Sequence, residues 1–186
     1  MNRLYAIVIA IGLGVSLTAT GALVTASRGE DREDDDEEEF KAKLQGFQEV
    51  PAISTTGRGT FKAVLSEDRM SLQYTLTYSG LVAEVHQAHI HLGQKGVNGG
   101  VSVFLCETTG SPDPFAEGAA GDAPTCPQEG AVTGTLTAVN IIGPNAQGIA
   151  PGEFGELVVA LEAGVTYANV HSMRWPGGEI RGQISD

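Results

Sequence analysis

From residue 40 onward the chain alternates. Phe40, Ala42 and Leu44 share one parity, as do Phe61, Ala63 and Leu65, and then Leu72, Tyr74, Leu76 and Tyr78, with mostly polar residues between them. A period of two marks antiparallel strands that bury one face and leave the other to solvent. Further strands are predicted over residues 85–92, 101–106, 132–139, 166–170 and 179–184. Turn residues punctuate them: Pro51, Thr56-Gly57, Ser66-Glu67-Asp68, Ser79-Gly80, the run Gly93 to Gly100, and Pro176-Gly177-Gly178, which reads as a tight turn. Residues 153–163 break the pattern, because Phe154, Leu157, Val158 and Leu161 follow a helical period and Gly164 stands where a C-cap belongs. The expected fold is all-β: a two-sheet Greek-key β-sandwich of about eight antiparallel strands with one short helix.

Ahead of this domain the texture is different. An apolar stretch from Leu4 to about Val24 follows Met1-Asn2-Arg3 and ends in the small residues around Ala26, so residues 1–26 read as a signal peptide or an uncleaved N-terminal anchor. Residues 27–39 hold nothing to bury, and nine of the ten residues from Glu30 to Glu39 are acidic. They read as an acidic disordered linker leading to a domain over residues 40–186. This order places the domain outside the cytoplasm: periplasmic, secreted or on the cell surface. The short linker thus carries about as much of the net charge of −12 as the whole domain does. From residue 40 on there are 8 basic and 14 acidic residues and no Lys/Arg cluster, which excludes a nucleic-acid partner. Only the N-terminal segment, if retained, would touch a membrane.

An oxidising compartment makes a disulfide the default for the two cysteines, Cys106 and Cys126, which bracket a long Gly/Pro/Ala-rich loop over residues 110–127. The competing role for Cys106 is that of a metal ligand.

All four histidines lie in two short segments, His86-Gln-Ala-His-Ile-His91 and Asn169-Val-His171-Ser. On a strand, His89 and His91 point to one face while Ile90 points to the other, which makes a ready pair of metal ligands. A metal needs a third ligand from elsewhere, and His171, directly after Val170, is the natural one. His86 stands at odd spacing and needs a bulge to join as a fourth. Met173 could offer a weak thioether to copper, but a methionine near a tryptophan, here Trp175, is more often packing. Imidazole ligation suits a copper ion, with zinc the alternative. Against this stands a purely structural role, in which the histidines bond backbone carbonyls or one another. Glu179 and Arg181 share a strand face. They either orient a ligating histidine or form one ion pair on a solvent-facing strand.

Five motifs also carry a resemblance. Leu44-x-Gly46 with Glu49-Val-Pro51, Ala88-His-Ile-His-x-Gly93, Gly96-x-Asn98-Gly, Tyr167-x-Asn-Val-His-Ser172 and Pro176-Gly-Gly-Glu-Ile-Arg-Gly-Gln183 occur in the order seen in the CHRD (chordin-type) domain. Residues 40–186 resemble that family. The resemblance implies an exported or surface binding module without an assigned enzymatic activity. Two features depart from it: His86 lies outside the usual motif, and the Cys106 to Cys126 insertion is long. The histidine pattern is also similar to the copper side of copper/zinc superoxide dismutase, without a counterpart to that enzyme's zinc ligands.

The sequence therefore predicts an exported protein that binds, buffers or delivers copper through His89, His91 and His171, with His86 optional. The rivals are a metal-free envelope adhesion or protein-interaction module, and a dismutase-like copper enzyme. No nucleophile–base pair or paired acids appear, so hydrolysis lacks its machinery.

Overall fold

Alternation does produce the first strands. In the computed structural model, which describes residues 37–108 and 123–186, β1 (Glu39–Gln45), β2 (Arg58–Leu65) and β3 (Leu72–Ser79) form an antiparallel meander, and every apolar residue of the alternating series is buried. The expected signal or anchor segment 1–26, residues 27–36 of the expected linker and residues 109–122 of the long loop lie outside the described residues. The remaining strands are β4 (Val85–Leu92), β5 (Gly100–Glu107), β6 (Gly130–Leu136), β7 (Thr166–Ser172) and β8 (Trp175–Gln183), with α1 (Phe154–Glu162) between β6 and β7.

All eight strands pair antiparallel, as expected for an all-β fold with one α-helix among the described residues. They hydrogen-bond as a single sheet in the order β5-β4-β7-β8-β1-β2-β3-β6. The β1–β8 seam is thin, with Gln45 opposite Arg181 and an isolated bridge between Lys41 and Ser185. The one sheet is nearly closed and barrel-like. Across the gap between the two ends, the Tyr74 hydroxyl of β3 donates to the Leu105 carbonyl of β5 at 2.6 Å. One apolar core fills the interior: Phe40, Phe61, Leu72 and Leu76 from one half, Ile90, Val170 and Ile180 from the other, and Leu157 and Leu161 from α1.

Helix α1 ends as its sequence suggests. Gly164 has φ +64°, its N–H bonds the Leu161 carbonyl, and the Val165 N–H bonds the Ala160 carbonyl, the pairing of a Schellman motif. Gly164→Ala is expected to cost about 1 kcal/mol, read as a fall in the urea midpoint at constant slope.

Two local expectations change. The strand predicted over 132–139 stops at Leu136, because the Asn140 side chain accepts from the Thr137 N–H (2.8 Å) and closes a 3-10 turn that leaves Val139 exposed. The second is the Pro176-Gly177-Gly178 turn. The β7–β8 hairpin turns instead at Met173 and Arg174, between paired Ser172 and Trp175. Val170 pairs with Ile180, so residues 176–179 of β8 bulge out opposite His171 alone. Proline donates nothing to a ladder, and Gly178, at φ +120°, has no room for a Cβ, which would lie 2.5 Å from the Asn169 Oδ1.

Cys106 and Cys126 are joined in a buried disulfide, so Cys106 is not a metal ligand. Such a bond belongs to an oxidising compartment.

Candidate metal centre

Strands β4 and β7 lie side by side with His89 opposite Asn169, His91 opposite Tyr167 and Gln87 opposite His171. Ala88, Ile90, Ala168 and Val170 enter the core, which leaves the other face of this strand pair to the histidines. Simple alternation assigns that face to water, yet it is buried: His89 is 1% exposed, His171 6% and His91 8%. Two connections cover it. The β4–β5 connection is tied to Arg181 of β8 through the Gln94 and Val97 carbonyls and Asn98. The segment after β1 is tied down where Asn169 donates to the Glu49 carboxylate, Asn98 to the Val50 carbonyl and Thr55 to Glu179.

Within this covered layer His89, His91 and His171 converge, each offering a ring nitrogen within 4.8 Å of the others. The group can hold a metal ion. A tetrahedral ion with nitrogen bonds of about 2.0–2.1 Å sets its ligand atoms about 3.3 Å apart, so the rings must draw together to close on one.

The tautomers follow from the partners. A carbonyl only accepts, so His91 carries its proton on Nδ1, which donates to the Gly99 carbonyl at 3.0 Å, and His171 does the same toward Pro176 at 2.8 Å. The Nε2 of His171 is then an acceptor, and the Nδ1–H of His89 donates to it at 3.2 Å. The Nε2 atoms of His89 and His91 are left buried with no hydrogen-bond partner. An imidazole locked through Nδ1 to a carbonyl with its Nε2 lone pair free, as in His91, is the arrangement of a histidine metal ligand, and an ion held by all three rings would take the place of the His89–His171 hydrogen bond. A buried polar atom without a partner is otherwise costly.

Burial, reinforced by the neighbouring histidines, pushes the His89 imidazole well below its ordinary value, and burial beside His171 takes His91 down to about 3. Both rings therefore stay neutral, the form that binds metal, at any pH near neutrality.

Phe104 closes the β5 side, its ring edge-on to His89 at 4.3 Å. The bulge that His86 requires exists, since Val85 pairs with Ser172 and Gln87 with His171, which makes His86 the extra residue. Its ring lies 6.0 Å from that of His171, at the margin of the trio rather than within the 4.8 Å group. Met173 is 51% exposed in the hairpin turn and is not packed against the core.

Glu179 and Arg181 are not on a solvent-facing strand, and they do not pair with each other. Both are buried. Glu179 accepts from the hydroxyls of Thr55 and Ser172 and from the Val82 N–H, and so fastens the residue after His171 to the covering segment. Arg181 lies against the Tyr167 ring, 3.4 Å from its centroid, and Tyr167 in turn stacks on His91 at 4.7 Å and 2°. Sequence reasoning missed Glu49, Asn98 and the stacking role of Tyr167. The signal was present, since all three belong to the motifs that carry the family resemblance. Those motifs, far apart in the chain, assemble this one layer.

Comparison with known proteins agrees on the family: the CHRD domain model matches residues 40–184. No curated protein matches the chain.

Proposed function

We propose that this chain, which belongs to the CHRD domain family, is an exported metal-binding protein that takes one copper ion, or zinc as the alternative, on His89, His91 and His171. His86 is the candidate fourth ligand. The protein binds, buffers or passes on the ion and does not turn over a substrate. One observation carries the reading: three buried imidazoles from two strands converge, with His91 and His171 held through Nδ1 and unpartnered Nε2 atoms on His89 and His91. Copper is favoured over zinc because it binds a given nitrogen set more tightly. An extracytoplasmic site agrees with the disulfide and with the apolar N-terminal stretch.

Competitive titration with copper, then zinc, of untagged protein tests this. One equivalent bound more tightly than about micromolar is expected, falling by at least about a hundredfold in His89→Ala/His91→Ala. Weaker binding in the wild type, or equal binding in the variant, sinks the proposal.

A second reading has its own support. The hydrogen bond from His89 to His171 makes a structural junction between β4 and β7 without any ion. In that case the domain is a metal-free adhesion or interaction module, and copper leaves its unfolding midpoint unchanged.

A further inference from the structure

Arg181 is 1% exposed, and among the described residues no carboxylate lies within ion-pair distance of it. A guanidinium taken out of water without a salt bridge is costly, so its contacts indicate what the fold gains from it. They run in two directions. Its plane covers Tyr167 at 3.4 Å, and Tyr167 lies parallel to His91 at 4.7 Å. Its Nη atoms donate to Asn98 Oδ1 (3.1 Å), the Val97 carbonyl (2.8 Å) and the Gln94 carbonyl (3.3 Å). The next residue of that connection, Gly99, accepts the Nδ1–H of His91 and donates its own N–H to the Tyr167 hydroxyl at 3.2 Å.

His91 is thus held twice, by a ring stacked on its face and by a carbonyl on its Nδ1. Both supports end on Arg181.

We propose that Arg181 is the positioning residue of this centre: through Tyr167 it fixes the plane of the His91 ring, and through residues 94–99 it fixes the carbonyl that sets the His91 tautomer. The Nδ1 of His171 is fixed by a different carbonyl, that of Pro176. The purpose assigned to Arg181 rests on the metal-binding reading, but the linkage exists in the metal-free protein and is tested there. Lysine cannot replace it, because an ammonium supplies a charge without the plane or the fork of donors.

The test is long-range proton–nitrogen correlation of the histidine rings in nitrogen-15-labelled, metal-free protein, followed by copper titration. Wild type should show His91 as the Nδ1–H tautomer. Arg181→Met keeps the volume and removes both the plane and the donors. It should give His91 a mixed tautomer, with Nδ1–H exchange at least about tenfold faster and His171 unchanged. Copper affinity should fall roughly 10- to 100-fold, as losses of outer supports commonly do. Arg181→Lys should not restore either property.

Asn98 is exposed, so Asn98→Ala leaves the core intact and decides the matter if Arg181→Met does not fold. It should speed His91 Nδ1–H exchange about threefold or more. An unchanged His91 tautomer and exchange rate in the folded variants overturns the proposal. If His91 shifts while the wild type binds no copper, the linkage stands and the metal reading falls. If the wild type and both variants bind copper equally and His91 does not move, the metal reading stands and the linkage falls.

Discussion

Glu49→Gln is expected to make the metal-free protein more stable by about 3 kcal/mol at about pH 8, and by less than about 1 kcal/mol at about pH 5. Burial beneath the segment that follows β1 raises the Glu49 carboxyl from 4.5 to about 7, and the Asn169 amide and the Arg181 charge offset this only in part. The unfolded chain ionises Glu49 at its ordinary value, so between these two values the folded state binds the proton and the unfolded state does not. Stability therefore falls as pH rises through that window, and above it the full cost of a buried carboxylate remains. Glutamine keeps the shape and the acceptor for Asn169, and has no proton to lose. Urea unfolding of both proteins at the two pH values measures the difference. A gain independent of pH would point to packing instead, and a loss at the higher pH would mean that the ionised carboxylate is needed where it lies.

Glu49 also shows how far the sequence could be read. The strands were legible because alternation records a physical fact, that one parity of Phe40 to Leu44 or Leu72 to Tyr78 leaves water. The pair His89 and His91 was legible for the same reason, since residues two apart on a strand share a face. Alternation assigns the second parity to solvent, however, and on β4, β7 and β8 that assignment fails. The face is covered by connections whose grip depends on Arg181, Asn98 and Thr55, contacts spanning 83 residues in one case and 124 in another. No local period encodes such contacts. Glu179 and Arg181 accordingly read either as supports for a ligating histidine or as an ion pair in water, and each is a buried anchor for a different connection. The Pro176-Gly177-Gly178 error has a similar origin. These residues have the composition of a turn because they must leave the ladder, but what they build is a bulge that presents the Pro176 carbonyl to His171.

The buried imidazoles should reveal themselves most clearly in the response to acid. Burial takes the His91 imidazole from 6.5 down to about 3 and lowers His89 in the same direction. The unfolded chain therefore takes up protons below 6.5 that the folded chain refuses, and stability drops as pH falls through that range. His91 alone accounts for about 2 kcal/mol between about pH 7 and pH 5, and His89 adds to it, while Glu49 works in the opposite sense. In His89→Leu/His91→Leu the acid limb should flatten by at least about 2 kcal/mol, and the Glu49 contribution should then leave the metal-free variant relatively more stable in mild acid. Copper separates the two readings of the site. At a free concentration about a thousandfold above its dissociation constant, copper should add about 4 kcal/mol to the wild type at neutral pH and nothing to the variant. If the histidines are only a structural junction, copper adds nothing to either protein. Losing the donor to His171 then simply costs the variant about 1–3 kcal/mol at neutral pH. Urea titrations of both proteins, at the two pH values and with and without copper, give all of these quantities. An acid limb unchanged in the variant would mean that the imidazoles are not held neutral in the fold, and the basis for a metal centre there would go with it.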